Sequence, residues 1–328
     1  MESRYGEVVE LFFSCLDTDS RVTIQYKAIR IEIGIFKNNL RDSDTKSQYV
    51  RFIQAANSDG TDELTIDDFY DWILTGCGPI YSQSTQQPVL PDRPTLDDYI
   101  HAKTYSFILH ASEEERFILT PAKNGLDTRA FDHVDNLSEM WSLWPWFQPS
   151  QISICADSPQ EALSRTPRKV CTPDGAMCFY KKHYPIDSDI IRRELQRYAE
   201  IRQAKLTDVR IPQLHGLVHD EAGFIIGLLL TYIDAGSTLG CSLRPETPSH
   251  IREKWSKQIT ETLKRMHDAG VVWGDVKPDN ILVDREGDVW IIDFGGGYTP
   301  GWVDKDLADT IAGDERGLSR IIDYIQDC

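Results

Sequence analysis

The chain has 328 residues, of which 35 are basic and 52 acidic, so its formal net charge at neutral pH is −17. This length suffices for one large or two ordinary domains, and the negative surface argues against nucleic acid as a general partner. No leading segment of secretory type and no run of eighteen apolar residues occurs, so we expect a soluble, cytoplasmic protein without a membrane partner. Seven cysteines without a CxxC pair predict reduced thiols, with neither a disulfide framework nor a zinc site.

Residues 1–80 are predicted to form a small, mostly helical module. Apolar residues at helical spacing occupy residues 5–16 and 49–56, and Thr65 is a candidate N-cap for a helix that runs through Leu74. Residues 57–68 are acidic but lack the central glycine and terminal glutamate of a calcium loop, so we interpret them as a solvated loop.

Residues 81–95 are predicted to be a linker, because a polar run rich in serine and glutamine is followed there by three prolines. Two β-rich runs, residues 104–110 and 116–120, then predict a hairpin. Four aromatic side chains follow within seven residues, and we interpret them as core or an inter-domain seam, with a ligand platform as the alternative. They are Trp141, Trp144, Trp146 and Phe147.

Three further strands are predicted at residues 151–155, 169–171 and 176–182. Alternation places Met177, Phe179 and Lys181 on one face of the last strand, while Lys182 points the other way. A helix with an apolar stripe follows, capped by Asp187 or Ser188. The stripe consists of Ile190, Ile191, Leu195, Tyr198 and Ile201.

A strand at residues 223–232 and a long helix at residues 248–269 lead to the most informative stretch, residues 271–297. In this stretch Asp275, Asn280 and Asp293 flank two short apolar β-type runs separated by a turn. A hairpin with such ends holds two carboxylates and an amide on one rim. Phosphoryl transfer needs this arrangement, with one group near the attacking hydroxyl and two ligands for magnesium.

At these residues the sequence resembles the protein-kinase-like superfamily. The run DVKPDN from Asp275 to Asn280 is similar to the kinase catalytic loop, and the DFG tripeptide from Asp293 to Gly295 follows at the family spacing. Lys277, two residues after Asp275, is typical of Ser/Thr protein kinases. The resemblance covers about half of the chain, from residue 150 to the last residue.

The resemblance implies ATP and Mg2+ as cofactors and assigns roles to individual residues. Asp275 would orient or deprotonate the acceptor hydroxyl, and Lys277 would stabilise the transferring phosphoryl group. Asn280 and Asp293 would bind Mg2+. Lys181, with Lys182 as the competitor, would hold ATP phosphates, and Glu194, with Glu200 as the competitor, would pair with that lysine. The predicted gatekeeper is Leu230, and the backbone from Thr231 to Ile233 would contact adenine.

Several features depart from the protein kinase pattern. No glycine-rich loop precedes Lys181, Trp273-Gly274 replaces the usual His-Arg, and only 33 residues follow Gly295. The chain therefore resembles compact, uncharacterised fungal kinase-like proteins, and we expect no control by a phosphorylated activation loop. A last helix is predicted around residues 314–325, where Asp314 is either an anchor for the catalytic loop or an exposed acid at the start of the helix.

The sequence predicts an α+β chain: a helical module at 1–80, a linker at 81–95, an N-terminal kinase-like lobe at 96–232 and a shortened C-terminal lobe at 233–328. The first functional hypothesis is an ATP- and magnesium-dependent phosphotransferase that acts on a hydroxyl of a small molecule or of protein Ser/Thr. A pseudokinase-like binding module is the second hypothesis. The third is a kinase fold repurposed for nucleotidyl, aminoacyl or amide-forming transfer.

Overall fold

The computed structural model describes residues 6–13, 19–41, 43–57, 64–83, 89–111, 117–122, 126, 141–183 and 188–327. Several features considered above lie outside the described residues: residues 58–63 of the acidic loop, residues 84–88 of the predicted linker, the candidate cap Asp187, and the side chains of Ser188 and Trp141. The chain is an α+β protein, as predicted, and it divides into two compact units. The first comprises Met1–Ala130 and Pro149–Pro173, and the second comprises Phe131–Gln148 and Asp174–Cys328.

The strands are β1 (Glu7–Phe13), β2 (Ser20–Tyr26), β3 (Ile29–Ile35), β4 (Lys103–Ala111), β5 (Phe117–Pro121), β6 (Trp146–Phe147), β7 (Ser153–Ile154), β8 (Lys169–Cys171), β9 (Met177–Lys182), β10 (Leu214–His219), β11 (Ile225–Thr231), β12 (Ala235–Thr238), β13 (Ile281–Asp284) and β14 (Val289–Ile291). The α-helices are α1 (Asp44–Asn57), α2 (Ile66–Gly76), α3 (Gly78–Gln83), α4 (Leu96–Ile100), α5 (Pro159–Ala162), α6 (Ser188–Gln203), α7 (Leu239–Ser242), α8 (Ser249–Asp268) and α9 (Ile311–Asp327).

The first unit is built on a sheet with the strand order β1-β2-β3-β4-β5. Strands β1 to β3 form an antiparallel meander, β4 pairs parallel to β3, and β5 returns antiparallel to β4. The chain between β3 and β4 holds α1, α2, α3 and α4, as a parallel crossover requires.

The prediction of a mostly helical N-terminal module is wrong, because residues 7–13 form a strand. The register of β1 on β2 shifts between Val8 and Glu10. A bulge of this kind adds a residue to one strand, so the apolar spacing of β1 departs from strict alternation and imitates a helical stripe. The alternation of Ile29, Ile31, Ile33 and Ile35 in β3 is a strand signal in the sequence that the helical prediction did not take into account.

Helices α1 and α2 cover this sheet and confirm two local predictions. Tyr49, Phe52, Phe69 and Ile73 are buried in one core cluster with the apolar residues of β2 and β3. Thr65 caps α2 through a capping box with Asp68, in which each side chain accepts a hydrogen bond from the other residue's backbone amide.

The linker predicted at residues 81–95 is partly helical, whereas the hairpin predicted after it is present. Helix α3 ends at Gln83 and so occupies part of the interval predicted to be a linker. The predicted hairpin is present as β4 and β5, and it belongs to the sheet of the first unit.

The chain returns to the first unit at Pro149. Strands β7 and β8 pair antiparallel there, and the intervening residues 155–168 contain α5 and no glycine. Gln25 of β2 is fully buried and donates a hydrogen bond from Nε2 to the Leu163 carbonyl oxygen at 2.7 Å.

The second unit contains the strand order β6-β10-β11-β9, and α6 follows β9 in the chain. Ile191, Leu195, Tyr198 and Ile201 of α6 are buried, as the predicted stripe required, but Ile190 is 42% exposed. Trp144, from the aromatic cluster, is buried in the core of this unit, with Trp146 packed against it.

The remainder of the second unit positions the motif stretch. The buried face of α8 includes Trp255, Ile259, Leu263 and Met266, and the helix ends before Gly270, whose φ is 78°. Strands β13 and β14 form the predicted hairpin, and β12 pairs with β13. The last predicted helix is α9, with Ile321 and Ile325 buried.

None of the helices in the described part of the chain combines the length and the apolar character needed to span a lipid bilayer.

Candidate functional site

Lys181 of β9 connects two acidic residues that are distant in sequence. Its Nζ lies 2.9 Å from both carboxylate oxygens of Glu194 on α6 and 2.9 Å from Oδ1 of Asp293. Glu194 is fully buried, whereas the side chains of Lys181 and Asp293 are 23% and 39% exposed. A fully buried carboxylate needs a partner of opposite charge, and Lys181 supplies it.

The charges of this triad shift the pKa values of its members. Burial alone lowers the pKa of Lys181, but the negative charges of Glu194 and Asp293 raise it by more, so the net pKa is above the ordinary value. Burial raises the pKa of Asp293, yet the charge of Lys181 and hydrogen bonds from Lys181 and the Gly295 amide leave it below the ordinary value. The lysine is therefore held as a cation and Asp293 as an anion.

The competing residues lie elsewhere. Lys182 pairs with Gly227 in the β9–β11 ladder, one position beyond Lys181 and hence on the opposite face of the sheet. Glu200 lies 3.0 Å from Arg197 on the surface of α6. The structure thus brings Lys181 and Glu194 together, and their roles toward a nucleotide stay predictions.

A second cluster surrounds Asp275 in the loop before β13. Lys277 Nζ lies 2.6 Å from Asp275 Oδ2, and Asn280 Nδ2 donates to the same oxygen at 2.8 Å. Thr299 donates from Oγ1 to Asp275 Oδ1 at 3.0 Å and accepts from Lys277 Nζ at 3.2 Å. Asp275 and Asn280 are both buried. The carboxylate of Asp275 is therefore held away from solvent and is contacted by the side chains of Lys277, Asn280 and Thr299.

The loops that carry Asn280 and Asp293 are joined through the backbone. The amide of Ile292 donates to the Asn280 carbonyl oxygen at 3.0 Å, which places Asp293 directly after a residue bonded to Asn280. Asp293 has a φ of 64°, a left-handed conformation that is uncommon for residues with a side chain and is concentrated at functional sites.

Asp314 of α9 anchors the loop that precedes Asp275, so the anchor interpretation is confirmed and the exposed-acid alternative is wrong. Its carboxylate is 1% exposed and accepts hydrogen bonds from the amides of Trp273 at 2.7 Å and Gly274 at 2.8 Å. His267 Nε2 lies 2.9 Å from the same group. Burial raises the pKa of Asp314 above its ordinary value, against the opposing effect of these three hydrogen bonds.

In the segment predicted to contact adenine, two backbone groups already form hydrogen bonds within the protein. Leu230 is buried, the Thr231 amide donates to Gln213 at 2.9 Å, and the Ile233 carbonyl accepts from Ala235 at 2.8 Å. A nucleotide would have to use other groups of this segment, so Thr231 and Ile233 stay predictions.

Sequence reasoning missed two residues of the site. Thr299 lies beyond the recognised motif, and nothing in the sequence linked it to Asp275 across 24 positions. His183 is 5% exposed, and its Nε2 lies 3.5 Å from Glu194 Oε2. Its position two residues after Lys181, on the same face of an extended chain, was the available signal.

Comparison with known proteins agrees with this geometry. Residues 179–299 match the family described as protein kinase domain. This range holds every predicted site residue.

The second unit contains a protein-kinase-like domain.

Among curated proteins, this kinase-like chain is similar to a probable serine/threonine-protein kinase of Dictyostelium discoideum, at 31% identity over 28% of the chain and 13% of that protein. It is 29% identical to a putative human serine/threonine-protein kinase over 33% of the chain and 39% of that protein. It is 31% identical to an Aurora kinase of Patiria pectinifera over 32% of the chain and 26% of that kinase. The chain thus spans well under half the length of these relatives. The resemblance to compact fungal kinase-like proteins stays a prediction.

Proposed function

We propose that the chain is an ATP- and Mg2+-dependent phosphotransferase that acts on a hydroxyl acceptor. The single observation that carries this proposal is the Lys181 ammonium, 2.9 Å from both Glu194 and Asp293. A cation fixed in this way binds phosphate oxygens, and it lies beside an anionic carboxylate suited to a metal ion. Two of the three relatives named above are called serine/threonine-protein kinases, which favours a Ser/Thr hydroxyl as acceptor.

The side chains present fit a magnesium-bound nucleotide. Asp293 and Asn280 provide hard oxygen donors, and the amide nitrogen of Asn280 is already bonded to Asp275, which leaves the side-chain oxygen as its ligand group. Bound Mg2+ and ATP would supply the phosphoryl group and neutralise charge on its oxygens. Lys181 would hold the phosphates in place, and Glu194 would hold Lys181.

Asp275 would receive the acceptor hydroxyl. Its carboxylate is buried and oriented by Asn280, Lys277 and Thr299, so a hydroxyl bonded to it would have a fixed direction of attack. Lys277 would then lie beside the developing negative charge. Little covalent chemistry falls to the protein in such a transfer, and positioning with electrostatics accounts for the rate.

A second candidate function is nucleotidyl transfer. The observation that favours it is the glycine-free segment 155–168 with α5, which precedes β9 where protein kinases carry a glycine-rich loop. A different arrangement of the phosphates would present the α-phosphate to the acceptor.

The deciding experiment incubates the purified full chain with γ-labelled or α-labelled ATP, Mg2+, and either a protein or a metabolite extract. Transfer of the γ label alone supports phosphoryl transfer, and transfer of the α label supports nucleotidyl transfer. A thermal shift with MgATP but no transfer of either label indicates a nucleotide-binding module. Absence of both binding and transfer refutes the proposal.

Asp275→Asn is the test variant for this experiment, and Asp279→Asn is its matched control. The control makes the same change of charge at an exposed position of the same loop. Asp275→Asn is expected to lower transfer by roughly 10²- to 10⁴-fold, the usual contribution of a positioned acid–base group. Equal activity of the two variants contradicts the proposed role of Asp275.

A further inference from the structure

The loop before α9 contains one carboxylate, Asp309, that contacts three separate segments of the site. Gly297, on the segment after Asp293, donates its amide to Asp309 Oδ1 at 3.3 Å. Arg193 of α6, the residue immediately before Glu194, lies 3.6 Å from Asp309 Oδ2. The third segment is the one that ends at Asp275.

The contact with this third segment is seen at Gly274. A Cβ atom added there would lie 2.7 Å from Asp309 Oδ1 and 3.1 Å from the Cα of Gly296, and a Cβ at Gly296 would overlap the same carboxylate. Both glycines have left-handed φ values, 90° and 71°. Asp309 therefore occupies the space that side chains at these two positions would need, directly beside the residues before Asp275 and after Asp293.

We propose that Asp309 is a positioning residue that holds Glu194, Asp275 and Asp293 in one arrangement through their sequence neighbours Arg193, Gly274 and Gly296–Gly297. The inference rests on the proposed function, because it assigns Asp309 to the same site. Asp309 itself adopts a φ of 56° between the turn Lys305–Leu307 and α9, so its backbone is constrained in a conformation that Asp and Asn tolerate better than other side chains.

The ion pair between Asp309 and Arg193 matters for the position of Glu194 more than for the free energy of unfolding. The side chains of Arg193 and Asp309 are 47% and 32% exposed, and ion pairs at such positions contribute little to stability. A small displacement of Glu194 or Asp293, however, moves Lys181 relative to the phosphates, and positional errors of this kind reduce turnover strongly. Loss of Asp309 should therefore lower kcat strongly while the unfolding temperature changes little.

Four variants of the full chain separate the contacts. Asp309→Asn keeps the acceptor for Gly297 and the tolerated φ but loses the charge, and Arg193→Gln removes the same ion pair from the other side. Asp309→Ala loses both contacts. Asp306→Asn, in the preceding turn, is the matched control, because Asp306 is an exposed carboxylate of the same segment.

We expect kcat to fall by about 10-fold in Asp309→Asn and in Arg193→Gln, and by more in Asp309→Ala, with KM for MgATP changing less. The double variant Arg193→Gln with Asp309→Asn should be no worse than either single variant, because both remove one interaction. Asp306→Asn should match the wild type. Additive losses in the double variant, or kcat values equal to the control, overturn the inference.

Amide hydrogen exchange tests the positioning independently of turnover. In Asp309→Asn, exchange should become faster in residues 293–297 and in the first turns of α6, at temperatures where the protein remains folded. If the wild type neither binds nor turns over MgATP, the proposed function fails. The exchange result then still decides whether Asp309 holds these segments. Unchanged exchange in both segments refutes the positioning role whether or not the chain is a phosphotransferase.

Discussion

The two units bury different kinds of polar side chain. In the first unit the buried polar residues of the described chain are neutral, namely Ser20, Thr23, Gln25, Thr45 and Thr172. In the second unit they include three carboxylates, Glu194, Asp275 and Asp314. A buried hydroxyl or amide needs only a hydrogen-bond partner, whereas a buried charge costs much more to desolvate.

This difference indicates that the functional site lies in the second unit, where buried side chains carry charge. In the first unit, bonds such as Tyr49 to Ser20 at 2.8 Å satisfy polar atoms inside a sheet covered by helices. In the second unit, Lys181 compensates Glu194, and Asn280, Lys277 and Thr299 fix Asp275. Buried charges held by this many partners are typical of functional sites. The following experiments test the contrast, from the largest expected effect to the smallest.

Lys181→Met should abolish most of the activity. Removal of the ammonium leaves Glu194 and Asp293 without their shared cation, and we expect transfer to fall by roughly 10²- to 10³-fold, the usual effect of losing one electrostatic stabiliser. Lys182→Met is the matched control, because it removes the neighbouring lysine from the opposite face of β9. Steady-state transfer assays measure both variants, and a larger loss in Lys182→Met would reverse the assignment of the two lysines.

Asp314→Ala should destabilise the second unit by about 3 kcal/mol or more. The substitution leaves the amides of Trp273 and Gly274 and the ring of His267 without their acceptor, and each unsatisfied buried group costs about 1–3 kcal/mol. Denaturant unfolding measures the change. Asp323→Ala, at an exposed position of the same helix, should change stability by less than about 0.5 kcal/mol, and a comparable loss there would show that the effect of Asp314 is not specific.

Gln25→Leu should destabilise the first unit by roughly 2 kcal/mol. The carbonyl oxygen of Leu163 loses its donor and Arg30 loses the side-chain acceptor 3.3 Å from its Nε. The effect should be smaller than that of Asp314→Ala, because Gln25 is a neutral amide, whereas the hydrogen bonds lost at Asp314 are made to a buried carboxylate and are stronger. Gln54→Leu, on the exposed side of α1, is the control in the same unfolding measurement. A neutral Gln25→Leu would show that this buried amide contributes no net stability.

Asp288 should give the second unit a small, acid-sensitive share of its stability. Hydrogen bonds from Lys254 and Gln258, followed by Arg210, lower the pKa of Asp288 below its ordinary value of 3.8. An acid whose pKa is lowered in the folded state stabilises the fold above its unfolded pKa, and the contribution disappears as the pH falls through the folded pKa.

Asp288→Asn should therefore cost about 1 kcal/mol near neutral pH and nothing at a pH well below the folded pKa. Unfolding followed as a function of pH measures this convergence of the two proteins. A constant difference between variant and wild type across the acid range would show that the effect of Asp288 is not linked to its ionisation.

Local sequence signals predicted a large part of the site and of the second unit. The spacing of Asp275, Asn280 and Asp293 around two β runs identified the hairpin and its polar ends, and alternation in β9 placed Lys181 and Lys182 on opposite faces of the strand. The stripes of α6 and α8 and the capping box at Thr65 were equally readable. These signals are contained within a few turns or one strand, so no distant contact is needed to interpret them.

Other features depended on contacts that only the folded chain makes. The bulge in β1 made a strand look helical until its pairing with β2 was known. Thr299 reaches Asp275, and Asp309 reaches Arg193, across sequence separations that carry no periodic signal.

The sequence alone determined the order and spacing of Asp275, Asn280 and Asp293, on which the resemblance to protein kinases rests. The tertiary structure decided which of two lysines and two glutamates meet, and that Asp314 is buried beneath the loop rather than exposed. The physical reason is that alternation and spacing specify the face of an element. The partner across that face is set by packing between elements and by the need of every buried charge for a neighbour.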